Sequence, residues 1–121
     1  MKTKEKAIVG VVGAGSFGTT IATLLAHNAD VLLFSRRKQI VDNINEHNTH
    51  INLTLSKRIR ATDQIEEITQ SCSLIFPAVP SASFRDTIKS MSPFLTPGHI
   101  LIHGTKGLDL SDLPLNEIRH I

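Results

Sequence analysis

Residues 7–18, AIVGVVGAGSFG, decide the fold, because they have the pattern of a buried strand, a glycine-rich turn and a helix start. The first six residues are rich in β-branched side chains, which is typical of a strand buried on both faces of a parallel sheet. From Phe17 to Leu25, apolar residues recur at helical spacing. We therefore predict a strand over Ala7–Val12 and a helix over Ser16–Asn28.

The turn between this strand and helix has the spacing G-x-G-x-x-G, formed by Gly13, Gly15 and Gly18. In this context the motif binds a dinucleotide. Gly13 permits the tight turn, Gly15 lets the backbone approach a pyrophosphate, and Gly18 lets the helix pack closely on the strand. The free N–H groups at the helix start, including those of Ser16 and Phe17, would face the anion. The alternative is a glycine-rich turn that binds no ligand.

Short apolar runs alternate with helical segments along the rest of the chain. Because parallel neighbouring strands need crossover connections, this alternation predicts an α/β fold with a doubly wound, Rossmann-like parallel sheet. The other predicted strands are Val31–Phe34, Ile59–Thr62, Leu74–Val79 and Ile100–His103. Three other helices are predicted. The first is Lys38–Asn45, the second is capped by Asp63 and carries Ile65 and Ile68, and the third is capped by Ser81 or Ser83 and runs to Met91. Glu46–Arg58 and Ser92–Gly98 are predicted as loops.

Length and composition limit the class of protein. With 121 residues, 40% hydrophobic and 20% charged, the chain is the size of one globular domain, which we assign to residues 1–121. The net charge of +2, the scattered basic residues and the absence of tryptophan and tyrosine argue against nucleic-acid binding. Its single cysteine, Cys72, suits a reducing cytosol, and no apolar run is long enough to span a membrane. We predict a cytoplasmic protein.

The second predicted strand ends in FSRRK, residues 34–38, where a dinucleotide site needs a side chain that binds the adenosine ribose. An acidic residue there accepts a hydrogen bond from the 2′-hydroxyl of NAD, whereas an arginine pairs with the 2′-phosphate of NADP. Arg36 and Arg37 stand there without an acidic residue, so NADP is favoured over NAD. Lys38 is predicted to be a solvated helix residue.

Five stretches, in this order, resemble the N-terminal domain of NAD(P)-dependent glycerol-3-phosphate dehydrogenase. They are Gly13–Thr19 (GAGSFGT), Leu33–Arg37 (LFSRR), Ile59–Asp63 (IRATD), residues 79–81 (VPS) and residues 105–108 (TKGL). The resemblance implies that Ser16 and Phe17 contact the cofactor phosphates and that Arg36 and Arg37 bind the ribose. It implies that Lys106 touches both cofactor and substrate. One departure is that Ile51–Ser56 lacks the Leu-Pro-Gly and Leu-Pro pieces of the family.

The resemblance also implies the whole enzyme's activity, which interconverts dihydroxyacetone phosphate and sn-glycerol 3-phosphate and so supplies a glycerophospholipid precursor. A helical C-terminal domain would provide the lysine that accepts the proton, so the chain is interpreted as a fragment of a longer enzyme that forms a homodimer. Two alternatives remain open at this point. One is a nucleotide-binding regulatory module without catalysis, and the other is the cofactor domain of a hydroxy-acid dehydrogenase.

Lys106 is the candidate catalytic residue on physical grounds as well. It follows the fifth predicted strand between Gly104 and Gly107, and ligands in open α/β sheets bind at the carboxyl ends of strands. An ammonium there would stabilise the alkoxide that develops as a ketone accepts hydride. The alternative is a solvated surface lysine.

Three other kinds of residue receive structural interpretations. His47 and His50 lie three residues apart in a predicted loop, and we interpret them as a solvated pair and not as metal ligands. Cys72 precedes an apolar strand without a nearby His or Arg, which indicates a structural thiol. Pro77 is acceptable in its strand only near the carboxyl end or where the lost N–H had no partner.

Overall fold

The computed structural model describes residues 8–103 and 118–120. The strands are β1 (Ile8–Val12), β2 (Asp30–Phe34), β3 (Thr49–His50), β4 (Leu53–Thr54), β5 (Ile59–Thr62), β6 (Leu74–Pro77), β7 (Ile100–His103) and β8 (Ile118–His120). The helices are α1 (Ser16–Leu25), α2 (Lys38–His47), α3 (Ile65–Ser71) and α4 (Ser81–Met91), and a short 3₁₀ turn spans Ser92–Phe94.

Six strands form one sheet in the order β5-β2-β1-β6-β7-β8, and every neighbouring pair is parallel. The chain runs outward from β1 to β2 and β5, then crosses back to β6 on the other side of β1. This is the doubly wound, Rossmann-like order, so the predicted fold class is confirmed. The sixth strand of the sheet, β8, was not predicted.

Helices cover both faces of the sheet, because alternate strand residues point to opposite sides. On one face, Val11 and Leu33 pack with Ala22 and Ile44 from α1 and α2. On the other face, Val12 and Leu32 share a core with buried side chains of the second helix pair. These are Ile68 on α3, Cys72 directly after α3, and Phe84, Ile88 and Met91 on α4.

The predicted loop over Glu46–Arg58 contains an antiparallel hairpin, β3–β4, so that prediction was wrong. Its two-residue turn is formed by Ile51 and Asn52, whose φ angles are 52° and 58°. Two positive φ angles are typical of the type I′ hairpin turn, which usually carries Asn-Gly. Because an isoleucine is rare at such a position, residue preference did not indicate the turn.

Two predicted helix caps were also wrong. Gln64, not Asp63, is the N-cap of α3, because the Thr62 hydroxyl accepts the Gln64 N–H at 3.0 Å and shifts the helix start by one residue. Pro80 is the N-cap of α4, where its carbonyl accepts the Ser83 N–H at 2.9 Å. Neither helix has a side-chain cap among the described residues.

Pro77 is the last residue of β6, where the missing donor costs the sheet little. The ladder resumes at the next residue, since the Ala78 N–H donates to the Val12 carbonyl at 2.7 Å. Pro77 therefore lies at the carboxyl end of its strand, where a proline was predicted to be acceptable. Among the described helices, none has the length and apolar character needed to cross a membrane.

Candidate functional site

The carboxyl ends of three central strands open into one cleft of about 410 Å³. Val12 at the end of β1 lies opposite Phe34 at the end of β2 and Pro77 at the end of β6. The strand order reverses at this point, since the chain leaves β1 toward β2 and returns to the other side for β6. Open α/β sheets bind their ligands in the crevice at such a reversal.

The glycine turn forms one wall of this cleft and is tied to both neighbouring strands. The Gly13 N–H donates to the Phe34 carbonyl at 3.1 Å, and the turn leaves β1 with a φ of 118° at Gly13. A Cβ on Gly13 would collide with the Ala78 carbonyl, and one on Gly18 would collide with the Gly13 carbonyl. Both positions therefore need glycine for the tight turn and for the close approach of α1 to β1.

Gly15 differs from the other two glycines, because the packing around it does not itself require glycine. A Cβ built there meets no atom of the described residues within 4 Å, so these residues leave room for a side chain. Gly15 lines the cleft and is the N-cap of α1, with no side-chain cap among the described groups. No described group accepts a hydrogen bond from its amide either. An open surface with free backbone donors at a helix start suits an anion that approaches the backbone closely.

The opposite wall comes from the end of β2. Ser35 is buried, its N–H donates to the Thr62 carbonyl at 3.0 Å, and its hydroxyl accepts the Arg37 N–H at 3.1 Å. This local turn places Arg36 and Arg37 on the cleft wall. Both side chains are exposed, and neither guanidinium pairs with a carboxylate in the part of the chain that the structure describes.

A second cleft of about 330 Å³ adjoins the first and shares Phe34, Arg36, Ser83 and Thr87 with it. Arg36 therefore stands where the two clefts meet, while Arg37 lines only the first. A guanidinium in that position can donate to a phosphate or hydroxyl group that lies where the two clefts join. Arg36 is thus better placed than Arg37 to donate to a ligand in either cleft.

Two other predicted cofactor residues, Ser16 and Phe17, are not among the residues that line this cleft. Ser16 is exposed and borders a separate groove that α1 forms with the hairpin. Phe17 is 60% exposed at the first turn of α1. Lys106, the candidate catalytic residue, lies outside the described residues.

The histidine interpretation was wrong for one of the two residues. His47 is exposed, and its nearest partner is Glu46 at 4.0 Å. His50 is half-buried, and its Nε2 lies 2.6 Å from the Ala14 carbonyl oxygen inside the glycine turn. No local pattern indicated this contact, because the two residues are 36 positions apart. The described residues contain no cluster of three metal-ligating side chains.

Residues 8–119 match the family model described as the N-terminus of NAD-dependent glycerol-3-phosphate dehydrogenase. A glycerol-3-phosphate dehydrogenase [NAD(P)+] from Exiguobacterium is 38% identical over 106 residues, which cover 84% of this chain and 31% of that protein. The crystal structure of glycerol-3-phosphate dehydrogenase from Coxiella burnetii is 28% identical, with a TM-score of 0.73 over 85% of this chain and 33% of that one.

A lactate dehydrogenase from Cryptosporidium parvum also has a similar fold, with a TM-score of 0.71, 20% identity and coverage of 98% of this chain and 44% of that one. At that identity the likeness shows the fold alone. The chain spans about a third of the length of the curated relatives it matches.

Proposed function

The chain belongs to the NAD-dependent glycerol-3-phosphate dehydrogenase family, whose N-terminal domain it matches, and we propose that it binds NADP in preference to NAD for the interconversion of dihydroxyacetone phosphate and sn-glycerol 3-phosphate. The observation that carries the proposal is the open backbone at Gly15. It lies where the strand order reverses, it has room that no atom of the described residues occupies, and it has an amide without an acceptor among those residues. A cofactor pyrophosphate fits each of these features.

Each wall of the cleft has its own part in holding the cofactor. The amides of Gly15, Ser16 and Phe17 would bind the pyrophosphate at the start of α1, where the helix dipole favours negative charge. Arg36 and Arg37 would bind the adenosine ribose and its 2′-phosphate. The bound cofactor supplies the hydride, and this domain supplies the binding and the orientation.

Lys106 is proposed as the catalytic residue that also contacts cofactor and substrate. The proposal rests on its place in the TKGL stretch, three residues after β7 ends. In the enzyme that contains this domain, Lys106→Ala should lower kcat by about 10²–10³-fold, the range for loss of one oxyanion donor. If this domain only binds nucleotide and takes no part in catalysis, Lys106→Ala should leave kcat unchanged. The kcat of the variant therefore separates the two functions.

The family resemblance supports three further proposals about the whole enzyme. It acts in the cytoplasm, it contains a helical C-terminal domain that completes the substrate site, and it forms a homodimer. Sedimentation of the enzyme that contains this domain tests the dimer directly. A monomer at micromolar concentration would contradict it.

The test of cofactor binding compares wild type with Gly15→Val by titration with NADPH and NADH. A Cβ at Gly15 meets no atom of the described residues within 4 Å, so a branched side chain there should fill the pyrophosphate space and abolish binding with little change in circular dichroism. Gly98→Val is the matched control, since a Cβ there meets only the Thr96 hydroxyl at 3.6 Å. Undiminished binding by a folded Gly15→Val protein would contradict the proposal.

A further inference from the structure

His50 contacts the glycine turn from outside the cofactor cleft. Its Nε2 lies 2.6 Å from the Ala14 carbonyl oxygen, and a carbonyl can only accept, so Nε2 carries the hydrogen. The only other described donor to this oxygen is the Thr19 hydroxyl, at 3.4 Å. Ala14 lines the cleft while His50 does not, so the imidazole holds the turn from behind.

The geometry of one peptide unit links this contact to the cofactor site. The peptide between Ala14 and Gly15 is trans and planar, so the Ala14 C=O and the Gly15 N–H point in opposite directions. A donor that fixes the carbonyl on the hairpin side therefore directs the Gly15 amide away from the hairpin. That amide is the one without an acceptor among the described groups.

We propose that His50 is a positioning residue for the cofactor pyrophosphate. It acts by fixing the Ala14–Gly15 peptide, whose amide would bind the pyrophosphate. The inference rests on the proposed function. Glycines on both sides of Ala14 leave this part of the backbone unusually free, and the imidazole removes that freedom. A hydrogen bond to the carbonyl also polarises the peptide, which strengthens the amide as a donor.

The hairpin is built to hold the imidazole in place. Its base is anchored by the buried Leu55, whose N–H donates to the Asn48 carbonyl at 2.6 Å. The turn that follows His50 places Ile51 at a φ of 52°, a conformation that a β-branched residue rarely adopts. Backbone held in such sparsely populated conformations is concentrated at ligand-binding sites.

The experiment measures the affinities of NADPH, NADH and adenosine 2′-monophosphate for the wild-type chain, His50→Ala and His50→Gln. Adenosine 2′-monophosphate shares the adenosine and the 2′-phosphate with NADPH but has no pyrophosphate. We expect His50→Ala to weaken NADPH binding by about tenfold, the effect of one lost hydrogen bond. The affinity of adenosine 2′-monophosphate should stay within twofold of wild type.

His50→Gln should restore the NADPH affinity, because its amide nitrogen takes the place of Nε2. His47→Ala is the matched control, since His47 is exposed and its one ion pair among the described residues is with Glu46 at 4.0 Å. In the ligand-free proteins, the amide resonance of Gly15 should shift in His50→Ala and return toward its wild-type position in His50→Gln.

Three outcomes are decisive against the proposal. They are NADPH binding that is unchanged in His50→Ala, an equal loss of affinity for NADPH and adenosine 2′-monophosphate, and a Gly15 resonance that does not respond to His50. Wild-type chain that binds neither NADPH nor NADH would instead contradict the proposed function, while the Gly15 resonance would still test the role of His50. Should His50→Ala not fold, His50→Asn serves in its place, because its amide is too short to reach Ala14.

Discussion

Among single residues, Arg36 is the one on which the proposed choice of cofactor depends most. It stands where two clefts meet and has no carboxylate partner among the described residues. A guanidinium there is free to pair with a 2′-phosphate, while a carboxylate would repel that group and accept a hydrogen bond from a 2′-hydroxyl. The proposed preference for NADP over NAD therefore rests on very few side chains.

We predict that Arg36→Asp reverses the cofactor preference. Loss of one charge-assisted hydrogen bond costs about 1.5–3 kcal/mol, so NADPH affinity should fall roughly 10–100-fold, while NADH affinity is retained or improves. Calorimetric titration of both cofactors checks this. Lys38→Asp makes the same change of charge two residues away, at a side chain that is 78% exposed, and should leave the preference unchanged. Equal wild-type affinities for NADPH and NADH would contradict the argument.

Cys72 shows how burial shifts the pKa of a single side chain elsewhere in the domain. Its side chain is buried at the end of α3, in agreement with a structural thiol, and that burial raises its pKa from 9.0 to about 11. Arg60 partly opposes this shift and Glu67 adds to it. Because the thiol stays protonated in the folded chain but ionises near pH 9 when unfolded, its contribution to stability is complete below pH 9 and is lost between pH 9 and 11.

We therefore predict a pH-dependent difference between wild type and Cys72→Ala. The free energy of unfolding of wild type should exceed that of the variant below pH 9, and the gap should narrow as the pH rises toward 11. Urea titrations of both proteins at several pH values measure the gap, in which the other titrating groups cancel. A gap that stays constant from pH 8 to 11 would show that the thiol ionises equally in both states.

Among the secondary-structure elements, β5 needs protection because it is one of the two edge strands of the sheet. An exposed edge presents unpaired backbone groups that can pair with another chain. Asn45 on α2 occupies this edge with its side-chain amide. Its Nδ2 donates to the Ala61 carbonyl at 2.9 Å, and its Oδ1 accepts the Ala61 N–H at 2.8 Å.

We predict that Asn45→Ala destabilises the domain by about 1–2 kcal/mol, since two hydrogen bonds of about 1 kcal/mol each are lost and water replaces them in part. Asn43→Ala is the matched control on the same helix, where the structure gives the exposed side chain no hydrogen bond. Chemical unfolding of the three proteins measures the difference. Equal stabilities of the two variants would mean that the Asn45 amide adds nothing to the edge.

At the level of the complete domain, the cofactor cleft exists only when the ends of β1, β2 and β6 meet. A ligand that needs this cleft binds the folded state alone and must stabilise it. At a concentration of 100 times its dissociation constant, such a ligand adds about 2.7 kcal/mol. NADPH should therefore raise the melting temperature by several degrees for a domain of this size.

Thermal unfolding with and without NADPH tests this prediction. The shift should vanish in Gly15→Val and persist in Gly98→Val, because the first side chain fills the cleft and the second lies in a distant loop. A shift of equal size in both variants would place the ligand away from the glycine turn.

Local pattern was enough to predict the layers of the domain and the place of its glycine turn. The runs that became β1, β2, β5, β6 and β7 are short and mostly apolar, and the glycines stand between the first strand and helix. Such signals depend on neighbouring residues alone, so they are readable along the chain. The same pattern put both arginines at the end of β2, where they line the cleft.

The contacts at the glycine turn and at the sheet edge depend on packing between distant segments. His50 reaches Ala14 across 36 residues and Asn45 reaches Ala61 across 16, and no spacing along the chain encodes which backbone group a side chain meets. The β3–β4 hairpin was missed because each strand has two residues and its turn contains an isoleucine. Short-range preference thus sets the order of strands and helices, while long-range hydrogen bonds, which form only once the sheet is assembled, decide which side chain meets the glycine turn and which meets the sheet edge.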